Sequence, residues 1–136
     1  MATFNVEIYT PYRQIAVGQT ESLILPILDG AYGVQAGHEP VVTAIEPGEL
    51  RYQTEEGWQI VAVGSGFAEV MPEKTTLLVS FAERPEEIDL KRAQAAMERA
   101  QERLRQKASI QEYYRSKAAL ARAMARLKAV QDSHQA

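Results

Sequence analysis

All 8 glycines and all 6 prolines of this 136-residue chain lie at or before Pro85, so the segment after it contains no residue that breaks a helix. One end of the chain is free to run as uninterrupted helix, and the other is punctuated every few residues. Charge divides at almost the same place. Residues 1–86 hold 12 acids and 4 bases, and residues 87–136 hold 6 acids and 11 bases, which hides charges of -8 and +5 inside a net -3. The chain is therefore expected to form two unlike parts, residues 1–85 and 86–136.

The first part reads as short strands. From Thr3 to Tyr9 the residues alternate, with Phe4, Val6 and Ile8 on one face and Asn5 and Glu7 on the other, before Thr10-Pro11 ends the run. Further strand-like runs are Ser22 to Leu28, Val41 to Ile45, Glu49 to Thr54, Trp58 to Val63, Phe67 to Met71 and Thr75 to Phe81, each bounded by glycine or proline. With no helical pattern between them, they predict an antiparallel sandwich or barrel. Pro26 falls inside one run, which places it at a sheet edge or bulge.

The second part reads as a hairpin of two antiparallel helices. Leu90, Ala93, Met97, Ala100 and Leu104 fall on one stripe of a helix running from Asp89, its N-cap, to about Lys107. Ser109 and Glu112 have capping-box spacing, and Tyr113, Leu120, Met124 and Leu127 form a second stripe, so the turn falls around Ala108. Residues 87–136 hold 12 alanines. Alanine favours the helix itself but buries far less than the ~1.5–3 kcal/mol of apolar surface that a leucine does. Such a seam predicts helices that form readily yet hold each other weakly, so that the hairpin can open into an extended arm.

Composition and motifs exclude many functions. Hydrophobic residues make up 46% and charged residues 24%, the composition of a folded soluble domain. Cysteine is absent, which removes disulfides, thiolate metal sites and cysteine nucleophiles and fits a reducing compartment. No apolar run approaches the ~20 residues of a membrane span, and MATFNVEIYT lacks the features of a signal peptide, so a cytosolic protein that reaches a membrane only through a partner is expected. His38 and His134 are far apart and no catalytic or phosphate-loop motif occurs, so neither a catalytic nor a metal site is expected. The stretch Gly30, Gly33, Gly37, His38 reads as a shaped surface loop. The basic half has only Tyr113 and Tyr114 for stacking, which argues against nucleic acid.

Four arginines remain. Arg92 and Arg99 are seven apart and Arg122 and Arg126 four apart, so each pair lies on one side of its helix, beside the apolar stripe. Folding the hairpin could gather all four, for which a polyphosphate is a natural counter-charge; the alternative is an ordinary solvated face with helical ion pairs.

The order of parts and several segments resemble the epsilon subunit of bacterial F-type ATP synthase. TPYR, DGAYGVQAGHEPVVTAIEPGELR from Asp29 to Arg51, GSGFAEVMPEKTTLLVSFAERPEEIDLKRAQ from Gly64 to Gln94, and ARAMARL from Ala121 to Leu127 carry the similarity. The resemblance implies a β-sandwich followed by a two-helix hairpin, in a non-catalytic rotor subunit peripheral to the cytoplasmic face of the plasma membrane. The sandwich would bind the γ subunit and the c-ring, with Ala31, Tyr32 and His38 in the c-ring-facing loop. Ala31 and Ser65 depart from the family, which often has an acidic residue and a glycine there. The extended hairpin would enter the α and β subunits and inhibit hydrolysis. The resemblance also implies regulatory ATP, bound by the folded hairpin and not hydrolysed. Ile88, Asp89, Leu90, Lys91, Arg92 and Ala93 match the family's I/L-D-x-x-R-A motif. Glu83 and Asp89 would hold the adenine with Ile88 packed on it, and Arg92, Arg99, Arg122 and Arg126 would surround the triphosphate. The contrasting expectation is a static rotor adaptor that binds no nucleotide.

Overall fold

The computed structural model describes residues 2–106 and 109–135, without the side chain of Gln135. Ten strands precede two helices: β1 Phe4–Tyr9, β2 Gln14–Thr20, β3 Ser22–Ile27, β4 Gly30–Gln35, β5 Val41–Ile45, β6 Gly48–Thr54, β7 Gly57–Val63, β8 Gly66–Val70, β9 Lys74–Val79 and β10 Ala82–Glu83, then α1 Leu90–Arg105 and α2 Ile110–Gln135. The strands form two five-stranded sheets, ordered β2-β1-β9-β8-β5 and β10-β7-β6-β3-β4. All pairings are antiparallel except β1 with β9, which run parallel from Asn5 opposite Lys74 to Tyr9 opposite Leu78.

Alternation builds the sandwich. Phe4, Val6 and Ile8 of β1, Leu23 and Leu25 of β3, and Leu77 and Val79 of β9 point into one core with Leu50, Val61, Val63 and Val70. Tight backbone contact at one position fixes the register of β8 against β9. A methyl on Gly66 would overlap the Leu78 carbonyl oxygen and the Val79 Cα, so only glycine fits there. Pro26 is tolerated because β6 pairs with β3 only at Leu23 and Ile24, leaving β3 locally an edge on that side at Pro26.

Strand β7 breaks the alternation and thereby places the hairpin. Its residues from Ile60 to Val63 are all buried: Val61 and Val63 face the sandwich core, while Ile60 and Ala62 join Ala129 of α2 in a separate cluster flanked by Phe81 and Ile88. A strand covered on both faces needs a second layer, and α2 is that layer.

Several expected elements are corrected. Gln14–Thr20 is a strand, with a register shift where β1 passes from Val6 to Glu7, and Gly30–Gln35 is a strand rather than a loop. The expected second helical stripe is met only in part, for Leu120 and Leu127 are half-buried. Met124 is 53% exposed and Tyr113 48%, whereas Ser116, Ala123, Ala125, Ala129 and Val130 are the buried residues of α2. On α1, Leu90 is 48% exposed and Ala93 and Ala100 are buried. Small side chains let the helix backbones approach each other and the sheet closely, which pushes the large ones to the flanks. Asp89 caps α1 by accepting from the Arg92 amide at 3.1 Å, and Ser109 Oγ accepts from the Glu112 amide at 3.2 Å. The expected turn at Ala108 and helix end at Lys107 lie outside the described residues.

Candidate nucleotide-binding cleft

A cavity of about 450 Å³ opens where α1, α2 and the segment leaving the sandwich meet. Glu83, Ile88, Asp89, Arg92, Ala93, Arg99, Arg122 and Arg126, all eight of the residues expected in the ATP site, line it. The spacing explains the convergence. Arg92 and Arg99 come from one side of α1, Arg122 and Arg126 from the facing side of α2, and Ala93, Ala100 and Ala123 between them are small enough to leave a cleft floor.

The charges in the cleft are unequal in freedom. Arg126 is engaged: its Nε donates to Glu83 Oε1 at 2.6 Å, and its guanidinium stacks over the Phe81 ring at 3.9 Å from the centroid. Arg92, Arg99 and Arg122 have no ion-pair partner among the described residues, and neither has Arg103, which also lines the cleft and was not singled out in the sequence. Its signal was present, since Arg103 follows Arg99 by one helical turn. Four guanidinium groups around one small cleft create a positive potential that an anion would neutralise, and their planar donors suit phosphate oxygens.

One of the three acids lining the cleft, Glu87, is neutralised from outside it. Glu87, in the 3₁₀ turn Pro85–Glu87, accepts from Arg13 at 2.6 and 3.1 Å and from the Arg84 amide at 2.9 Å. The Arg13 guanidinium, foremost among these, holds the Glu87 carboxyl below the ordinary carboxylate range. Arg13 also donates to the Ala82 carbonyl at 2.5 Å and Arg84 donates to the Tyr52 hydroxyl at 2.7 Å, so the connecting segment is tied to the sandwich. Ile88 packs against the β7 cluster at the same corner.

Two of the expected c-ring-facing residues, Ala31 and Tyr32, lie on β4, the edge strand opposite β10 in the sheet that α2 covers. Ala31 is exposed on β4, and Tyr32 is half-buried against the core. His38 Nδ1 lies 2.8 Å from the Glu39 carbonyl, which can only accept, so the ring proton sits there and Nε2 accepts from the Tyr32 hydroxyl at 3.0 Å. Ala31 and Tyr32 thus belong to a strand edge, and His38 alone of the three lies in the following loop.

Fold and cleft together define a β-sandwich that carries a docked helical arm with a cationic seam. Residues 3–85 match the profile of the ATP synthase, Delta/Epsilon chain, beta-sandwich domain, and residues 86–131 that of the ATP synthase, Delta/Epsilon chain, long alpha-helix domain. The ATP synthase epsilon chain of Ruminiclostridium cellulolyticum is 50% identical over 129 residues, covering 95% of this chain and 96% of that one. That of Caldanaerobacter subterraneus subsp. tengcongensis is 46% identical over 127 residues, covering 93% and 92%. This chain belongs to that family, as a non-catalytic epsilon subunit of the central stalk of bacterial F-type ATP synthase. The fold itself is shared with a chain of the Euglena gracilis mitochondrial ATP synthase at a TM-score of 0.80 and 22% identity, covering 100% of this chain and 83% of that one. No described helix is long and apolar enough to cross a membrane.

Proposed function

We propose that the hairpin is a nucleotide-sensing brake: its folded form binds ATP in the arginine cleft, and its extended form enters the α and β subunits and inhibits hydrolysis. One observation carries this reading, the cleft in which Arg92, Arg99, Arg103 and Arg122 converge without ion-pair partners among the described residues. Its volume of about 450 Å³ falls in the roughly 300–1,000 Å³ range of small-molecule sites. Arg92, Arg99 and Arg122 would hold the triphosphate, Ile88 would pack on the adenine, and Glu83 and Asp89 would accept its donors. Arg126 would have to share itself between Glu83 and the phosphates. With Glu83 and Asp89 turned to the adenine, Glu87 paired with Arg13 and no lysine among the lining residues, ATP would act as a signal and not as a substrate. Because both helices supply arginines, ATP favours the folded state and shifts the population away from the arm by no more than its differential affinity.

The sandwich would attach this brake to the rotor, on the cytoplasmic side of the membrane. Val42, Ala44, Phe67 and Leu78 form an exposed apolar patch on the sheet facing away from the hairpin, which suits the γ subunit, and the His38 loop would face the c-ring. The alternative, a static adaptor, separates from this reading in one assay: hydrolysis by the reconstituted complex as ATP is raised. The proposal expects inhibition that ATP relieves with wild-type chain and that persists with Arg122→Ala. Equal relief with both chains, or none with either, would leave the adaptor.

A further inference from the structure

A second charged constellation lies away from the arginine cleft, where the end of α2 meets the sandwich. Lys128 and Asp132, one turn apart on α2, face Glu49 and Arg51 of β6. An Arg51 terminal nitrogen donates to Glu49 Oε2 at 2.9 Å and to Asp132 Oδ2 at 3.1 Å, while Lys128 Nζ stands 3.6 Å from Glu49 Oε1 and 3.8 Å from Asp132 Oδ2. Across the ladder from Glu49, β7 presents only Ala62, and the one further acid lining the adjoining groove is Glu46, before β6.

The Glu49 side chain is only 4% exposed, and its Oε1 accepts no hydrogen bond among the described residues. A carboxylate oxygen sealed from water without a donor is costly. Lys128, itself well exposed, stands too far off to supply that donor with hydrogen-bond geometry. A proton on Oε1 resolves the deficit by turning that oxygen into a donor, and the Asp132 carboxylate is its neighbour, since Glu49 Oε2 and Asp132 Oδ2 accept from one Arg51 nitrogen at 2.9 and 3.1 Å. We infer that Glu49 and Asp132 share one proton when the hairpin is docked, and that this proton is a pH-sensitive latch fastening the end of α2 to the sandwich.

Burial first, and then the Asp132 carboxylate, raise the Glu49 carboxyl, while the hydrogen bond from Glu49 first of all holds Asp132 down. An arm that swings away leaves Glu49 in water and separates the pair, returning both to ordinary carboxylate behaviour. Docking therefore takes up a proton between the ordinary carboxylate range and the raised Glu49 midpoint. It weakens as pH rises through that midpoint, and it weakens again when pH falls through the depressed midpoint of Asp132. If the folded hairpin is the permissive state, as proposed above, mild acidification favours hydrolysis.

The test uses the full chain without nucleotide, so a chain that fails to bind ATP can still pass it. Amide protection over residues 125–130, corrected for intrinsic exchange, is measured from about pH 5 to about pH 8, with Glu49 titrated by carboxyl-carbon NMR. Wild-type protection should fall with rising pH, about tenfold for each unit by which the docked Glu49 midpoint exceeds the open one. Glu49→Gln should remain docked and lose this dependence, and Asp132→Asn should lower the Glu49 midpoint. A Glu49 that titrates in the ordinary range, or an unchanged pH dependence in Glu49→Gln, would overturn the latch.

Discussion

Placing a carboxylate at Ala129 should release the arm and leave the sandwich standing. Ala129 is fully buried and packs with Ile60 and Ala62, flanked by Phe81 and Ile88. Ile60 is buried whereas Phe81 and Ile88 are only partly so. With roughly 1.5–3 kcal/mol for a fully buried large side chain, and half of that for each partly buried one, the cluster contributes about 3–6 kcal/mol to docking. An unpaired carboxylate in that setting costs several kcal/mol after relaxation, the same size as the gain it opposes. The docking equilibrium of Ala129→Asp is thus brought to balance or beyond. The core lies on the other face of β7, behind Val61 and Val63, and is not touched. Hydrogen exchange read by mass spectrometry should show protection lost along the end of α2 and retained in β1, β6, β7 and β9. Wild-type protection of α2 in the variant, or loss of the sandwich together with the arm, would refute the view that docking of the hairpin depends on this small apolar cluster.

Other consequences concern the sandwich and the connecting segment. Thr75 is fully buried with no partner for Oγ1 among the described residues, so Thr75→Val should gain about 1 kcal/mol, read as a higher melting temperature. Gly66→Ala forces a methyl into the Leu78 carbonyl and should cost about 2 kcal/mol or more in urea unfolding. The Glu87 carboxyl is depressed, so its pair with Arg13 is fully formed above the ordinary glutamate range and is lost as pH falls through the depressed midpoint. In Arg13→Ala an NMR titration should find Glu87 moved up toward the ordinary range, with the Arg84 amide still holding it down in part. The pair is partly exposed, so overall stability should move little.

The division at Pro85 and the two kinds of architecture were legible because glycine, proline and hydrophobic period act locally. What escaped was set by partners distant in sequence. Gly30–Gln35 carries two glycines in GAYGVQ and reads as a loop, yet β3 offers it a continuous antiparallel ladder, and pairing outweighs its poor strand propensity. Gln14–Thr20 escaped for a related reason, since the register shift opposite Val6 and Glu7 interrupts its alternation. On α2 the large residues drew the expected stripe, whereas close packing selected the alanines. Convergence of Arg92, Arg99, Arg122 and Arg126 was legible because helical spacing fixes their sides, and Arg103 could have been added by the same rule. The pairing of Arg126 with Glu83 over Phe81 was not, because it joins a helix to the last strand of the sandwich.

The central claim is that the folded hairpin binds ATP through these arginines, and a calorimetric titration of ATP into the isolated full chain addresses it most directly. ADP and the variants Arg122→Ala and Arg122→Ala with Arg126→Ala serve as comparisons. The account predicts saturable binding that prefers ATP, weakens when Arg122 is lost and disappears in the double variant. No binding at cellular ATP concentrations, or binding that both variants retain, would contradict it.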